Sequence, residues 1–299
     1  MTHLFSIDER TRISGSRYNE SKYSFLDTSS WPSIERVRHF WESWFEQYPE
    51  DKKSALAARF RSRDDHPHLS AFLELFVFAF LQRSGYELAV DPPSGGLALD
   101  FLAYNKSKEP LFYVECTATG RHRSQLGADA LEADLLEAIN KTPTGRFLLR
   151  IEVEARGAAA PATKPLRAQL EAWLASLDAD EVTARVEETK RLPEWIWEKD
   201  GWRVRFVAMP TIASPDDGEG AIGMRLASFV PDQHIRLRAA MDGKASKYGE
   251  LGKPLLLVLD STEFQSDRDL MTALLGDVLW HIDFATGAVT TSRKPNGVL

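Results

Sequence analysis

A chain of 299 residues has room for one large or two ordinary domains, and its net charge of −7 counts against avid non-specific nucleic-acid binding, which draws on phosphate neutralisation. Apolar residues at 43% and charged residues at 27% are the balance of a globular protein, and no stretch approaches the roughly 20 apolar residues of a membrane span. The single cysteine, Cys116, excludes an internal disulfide and fits a reducing cytoplasm, while the polar start from Met1 to Arg10 lacks the apolar run of a signal peptide.

Residues 1–30 are polar with little periodicity and predict an irregular arm. Ser33 to Tyr48 predicts an amphipathic helix, with Ile34, Val37, Trp41 and Trp44 on one face and Ser33 at the N-cap. The aromatic stripe reads as core packing. Asp51 to Arg63 predicts a second helix whose Arg59, Arg61 and Arg63 read as a solvated face, a phosphate contact being the alternative. His66-Pro67-His68 lacks further ligands at zinc spacing and reads as a helix-entry loop.

Leu69 to Gly85 follows as a strongly apolar helix carrying Glu74. Three extended segments come next. Tyr86 to Val90 is the first, Leu97 to Tyr104 with Asp100 inside it is the second, and Leu111 to Thr119 with Glu115 at its centre is the third. The turn-like stretch from Asn105 to Pro110 makes the last two antiparallel neighbours. Alternation puts Phe112, Val114 and Cys116 toward a core and Tyr113, Glu115 and Thr117 on the other face, which argues against a thiol nucleophile.

Beyond this block, Arg121-His122-Arg123 is either a solvated loop or a phosphate clamp. Ala128 to Lys141 predicts a helix, Phe147 to Glu154 a strand, Gly157 to Thr163 a loop, and Lys164 to Leu177 a helix. Trp195 to Trp197 and Trp202 to Met209 predict a hairpin around Asp200-Gly201. Gly218, Gly220 and Gly223 match a GxGxxG pattern with the wrong flanks for a dinucleotide site, and read as turn glycines. Pro231 to Gly249 predicts a helix closed by Gly249, Leu255 to Asp260 a central buried strand, Asp267 to Gly276 a helix, and Leu279 to Phe284 with Ala288 to Ser292 a hairpin. The organisation expected is therefore α/β, with residues 1–65 as an N-terminal helical region, 66–141 and 231–299 as two parts of one core, and 142–230 as an α/β insertion.

Glu74, Asp100 and Glu115 are acids in apolar surroundings, and an unpaired buried carboxylate costs several kcal/mol, roughly. Two carboxylates on neighbouring strands suit one hard cation, since Mg²⁺ takes one or two carboxylates plus waters and phosphate oxygens. With Asp100 and Glu115 on adjacent strands and Glu74 on the packed helix, the order and spacing resemble the PD-(D/E)xK nuclease superfamily. The resemblance implies a restriction-endonuclease-like core of helix, three-stranded meander, helix and strand. It departs at Leu99, where the superfamily has Pro, and at Thr117, where it has a lysine. Some branches place the missing lysine on the second core helix, and Lys244-x-x-x-Tyr248 has the spacing of their Gln-x-x-x-Tyr motif, so Lys244 is the substitute implied. Two solvated lysines at a helix end remain the other reading of Lys244 and Lys247. Most of residues 65–276 also resemble a bacterial family with Asp-Phe-Leu and Tyr-Val-Glu-Ala-Thr-like strands and a Lys-Ala-x-x-Tyr-Gly helix, to which no reaction is attached.

The function expected from this resemblance is Mg²⁺-dependent hydrolysis of phosphodiester bonds in DNA, with Mn²⁺ as a substitute metal. Asp100, Glu115 and Glu74 are the expected metal ligands and Lys244 the expected catalytic cation. Arg121, Arg123 and Lys247 are the expected nucleic-acid contacts. The competing expectation keeps the fold without the chemistry, as a module binding nucleic acid or a protein partner; a homodimer is left open.

Overall fold

The computed structural model describes residues 2–94, 97–118, 123–212, 220–226, 233–248, 250–260, 267–283 and 286–298, arranged as helices and mixed sheets. Before Lys22 the described residues form no helix or strand, as expected of an irregular arm, but the arm is docked. Leu4 and Phe5 are buried against Tyr23 and Phe60, and both of their backbone N–H groups donate to Glu42 Oε1, at 2.8 and 2.9 Å. Helix α1 (Lys22–Thr28) is held through Asp27, which accepts from Ser6 N at 2.8 Å. Two apolar residues without a period are enough to dock the arm, and no periodicity argument detects them.

Helix α2 (Pro32–Phe45) starts with proline in its first turn and Trp31 at the N-cap, so Ser33 is not the cap. Its buried face carries Trp41, Trp44 and Phe45, and Val37 is exposed. Arg38 is buried instead, where its guanidinium donates to the Leu26 and Ser29 carbonyls at 2.7 and 2.8 Å. Helix α3 (Glu50–Phe60) packs through Leu56, Ala57 and Phe60. Of the three arginines expected as a solvated face, Arg63 is exposed, but Arg59 pairs with Glu74, and Arg61, at the C-cap, donates to the His3 and Leu4 carbonyls.

Helix α4 (Asp65–Arg83) is capped by Asp64, whose carboxylate accepts from His66 N at 3.0 Å. His66-Pro67-His68 therefore lies in its first turn rather than in an entry loop, and buried His68 sits 2.5 Å from the Phe60 carbonyl. The helix buries most of its circumference, which is why its sequence is apolar nearly throughout.

A meander of β1 (Glu87–Val90), β4 (Phe101–Tyr104) and β5 (Pro110–Ala118) follows, interrupted by the small hairpin of β2 (Pro93–Ser94) and β3 (Leu97–Ala98). The strand expected over Leu97 to Tyr104 is thus broken, and Asp100 lies in the break. The β4–β5 turn is closed by Asn105 Oδ1, which accepts from the N–H groups of Ser107 and Glu109 at 2.9 Å each. Helix α5 (Arg123–Asn140) then leads to a second sheet, ordered β7 (Glu194–Lys199), β8 (Trp202–Pro210), β6 (Phe147–Ala155) and β9 (Ile222–Leu226). Leu135, Leu136 and Ile139 of α5 share its core with Leu166, Leu170 and Leu174 of α6 (Thr163–Ala175) and Val182 of α7 (Ala179–Thr189). Asp200 and Gly201 both have positive φ, 52° and 81°, as the two-residue β7–β8 turn requires.

Helix α8 (Gln233–Ala245) precedes β10 (Leu255–Asp260), and α9 (Asp267–Leu275) precedes the hairpin of β11 (Val278–Ile282) and β12 (Val289–Arg293). The expected closure of α8 at Gly249 lies outside the described residues. Strand β10 runs parallel to β5 and comes last in the order β1-β4-β5-β10, with Leu256 41% exposed, so it is not the central buried strand expected. This four-stranded sheet has a helix layer on each face. Val114, Cys116 and Val258 pack with α4, whereas Leu257 and Leu259 pack with Leu237 and Met241 of α8. Among the described residues, no helix is long and apolar enough to cross a membrane.

Candidate active site

The break before β4 and the middle of β5 bring two acids together. Phe101 pairs with Val114, and extending that register by one residue sets Asp100 opposite Glu115. Cross-strand partners project to the same face of a sheet. Asp100 Oδ2 accepts from the Cys116 backbone N–H at 2.6 Å, which pins the carboxylate at the edge of the ladder.

Glu115 is buried and faces the α8 layer, beside Leu257. Its Oε1 lies 2.5 Å from the Lys244 ammonium, and its Oε2 is buried without a hydrogen-bond partner among the described residues. Lys244 stands at the last turn of α8 and is about a third exposed at its side chain, so one cation bridges the buried acid and the surface. Tyr248 is buried just beyond the helix end, and Lys247 Nζ lies 3.3 Å from its hydroxyl. Burial first, and then Glu115 and Asp100 beside it, push the Tyr248 phenol above its usual range, so it stays protonated.

Asp100 is pushed up to about 7. Burial is the main cause; the Cys116 N–H works against it, the charges of Glu115 and Glu74 add to it, and Lys244 opposes it. The Cys116 thiol is pushed well above its usual value, by burial first and then by Asp100, Glu74 and Glu115, so it remains protonated and inert.

Glu74 approaches from the opposite layer and has both oxygens engaged. Tyr48 donates to Oε1 at 2.6 Å and Arg59 lies 2.7 Å from Oε2. Burial, then the Glu74 charge, raises the Tyr48 phenol well above its usual range, which keeps it a donor. Arg59 is raised despite burial, chiefly by the charge and hydrogen bond of Glu74, with Asp100 adding to it. Neither Tyr48 nor Arg59 is marked by a motif; the only signal was an arginine closing a helix immediately before the Glu74 helix.

The structure thus brings Asp100, Glu115 and Lys244 together, with Lys247 beside Tyr248 at the rim. Glu74 is tied to Arg59 and Tyr48. Arg121 lies outside the described residues, and Arg123 opens α5 with its side chain undescribed. Among the described residues, no three His, Cys, Asp or Glu side chains form a cluster that could hold a metal ion. The donor set that fits a divalent cation is therefore the carboxylate pair Asp100 and Glu115, where the orphaned Glu115 Oε2 and the raised Asp100 both gain from one. No family model matches the chain, and neither does a curated protein or a solved structure.

Proposed function

We propose that the protein is a divalent-metal-dependent phosphodiesterase acting on DNA, built on a restriction-endonuclease-like core. The order α4, β1-β4-β5, α8 and β10, with β10 parallel beside β5, supports that core. The observation that carries the reading is Lys244 Nζ at 2.5 Å from Glu115 Oε1, on the strand position opposite Asp100, because the cation absent from position 117 arrives from α8.

Asp100 and Glu115 would hold Mg²⁺, or Mn²⁺ in its place. When bound, the ion supplies Lewis acidity and a water of lowered pKa. Lys244, displaced from Glu115, offsets charge on the phosphate or orients the attacking water. Tyr248 stays protonated and limits the movement of the Glu115 side chain. A cytoplasmic setting suits the single buried thiol.

Plasmid cleavage in Mg²⁺ or Mn²⁺ tests this. Asp100→Ala and Glu115→Ala should abolish cutting. Lys244→Ala should reduce it by about two orders of magnitude, the usual weight of one electrostatic donor, without weakening Mn²⁺ binding, since the lysine competes with the metal for Glu115. Lys247→Ala should do less. A wild-type chain that cuts neither DNA nor RNA refutes the enzyme.

One observation favours a second reading. The Lys244–Glu115 pair already compensates the buried acid, and Glu74 is spent on Arg59 and Tyr48, so the site can persist as a closed structural network. The protein is then a nucleic-acid or protein-binding module with no chemistry. Calorimetry that finds no Mn²⁺ binding would select it.

A further inference from the structure

The two layers that sandwich the β1-β4-β5-β10 sheet each deliver one cation to a buried acid, Lys244 to Glu115 and Arg59 to Glu74. Lys244 arrives from α8 on one side. From the other comes Arg59 at the end of α3, which packs on α4. Its circumstances differ from those of the neighbouring cations. Lys52, seven residues earlier on α3, pairs with Asp91, an exposed acid. Arg61 is consumed by backbone carbonyls of the arm. Arg59 is anchored to a carboxylate that is itself buried, and that carboxylate is fixed from its far side by the buried Tyr48 hydroxyl. The guanidinium beyond this anchor is 43% exposed at its side chain.

A buried Tyr–Glu pair is a costly way to hold a surface arginine for packing alone. An apolar contact would do as much, since replacing buried ion pairs by apolar groups is often neutral or stabilising. What the brace supplies is orientation. A guanidinium has five donors in a fixed fork, and using one edge on Glu74 leaves the remainder aimed outward in a set direction.

We infer that Arg59 is a DNA-phosphate-binding residue, positioned by the Glu74–Tyr48 brace, that grips the strand backbone from the α3–α4 side while Lys244 faces it from the α8 side. This rests on the DNA-directed reading of the site but not on catalysis. Glu74 and Tyr48 are positioning residues that act through Arg59. No bond is made or broken in this step: the fork donates to phosphate oxygens, and release restores its hydration.

The probe is a short fluorescein-labelled DNA duplex, followed by anisotropy in metal-free buffer at several salt concentrations. Arg59→Met should weaken binding about tenfold and reduce the log–log salt slope by about one, the loss of one phosphate contact. Arg59→Lys should keep the slope and recover only part of the affinity, since an ammonium lacks the fork. Tyr48→Phe should weaken binding in the wild-type background and have no further effect in Arg59→Met; a merely structural tyrosine would act equally in both. Stripping Glu74 of its cation can destabilise the fold, so Arg59→Met is also made with Glu74→Gln, which removes the stranded charge. Lys52→Ala controls for a general loss of positive charge and should change affinity little.

Wild-type affinity in Arg59→Met, or in the double variant, overturns the proposal, as does a wild-type chain that does not bind the duplex. Cleavage is scored separately with Mn²⁺. A chain that binds through Arg59 and does not cut removes the phosphodiesterase and leaves the phosphate contact standing. A chain that cuts with Arg59→Met at the wild-type KM removes the contact and leaves the enzyme.

Discussion

Replacing Asp100 by asparagine separates its charge from its shape. Its carboxyl is raised from 3.8 to about 7 in the folded chain, chiefly by burial. Between these values the folded state binds a proton that the unfolded state has released, so stability is greatest below pH 4 as far as this group is concerned and falls as pH rises toward 7. The loss is on the order of 4 kcal/mol. In metal-free buffer, Asp100→Asn should therefore raise the urea midpoint at pH 8 and leave it nearly unchanged at pH 4, because the amide oxygen still accepts from Cys116 N. A midpoint that is lower at pH 8 than the wild type's shows that the charge is already compensated. The acids of this site were legible because charges inside apolar runs stand out in a sequence. Arg59 and Tyr48 were not, since their roles come from α2, α3 and α4 meeting in space, and nothing local distinguishes Arg59 from Arg61 or Arg63.

At the scale of the element, the same contrast separates period from position. The helices α4 and α6 and the β7–β8 hairpin follow from apolar spacing and one turn dipeptide. Helix α7 gives no such signal because it buries only Ala179 and Val182, and it rests on its Asp178 cap, which accepts from the Asp180 and Glu181 N–H groups. The run Leu255 to Asp260 suggests a central strand because both its faces are covered by helices. That condition is met even at the last place in the order.

Two substitutions test elements rather than chemistry. A Cβ on Gly220 would meet the Asn140 side chain at 2.0 Å, and Asn140 Oδ1 accepts from Ile222 N at 3.2 Å. Gly220→Ala should thus unseat the start of β9 and cost about 1–3 kcal/mol, from a stranded part-buried donor plus the clash, read as a lowered urea midpoint. Leu4 is fully buried although it lies near the start of the chain. Leu4→Ala should cost about 2–5 kcal/mol by the same measurement, where a free arm would lose nothing.

At the scale of the whole molecule, the proposed function has an acidic chain present Arg59 and Lys244 from two helix layers around the buried acids Glu74 and Glu115, so that its attraction for phosphate is concentrated there. If only Arg59 and Lys244 meet the backbone, the log–log salt slope of DNA binding should be about −2. A slope several times steeper would place the main basic surface elsewhere. The contact between Lys244 and Glu115 spans 129 residues of sequence. During synthesis, at about 5–20 residues per second, the acid pair is therefore made roughly 6–26 s before its lysine. Strand β10 comes later still, so the growing chain carries its α4 layer and meander well ahead of the α8 layer that completes the site. On the proposed reading, the α8 layer thus acts as an arming step: a nascent chain, or one truncated before α8, holds Asp100 and Glu115 without Lys244, and should neither grip a phosphate from both sides nor cut it.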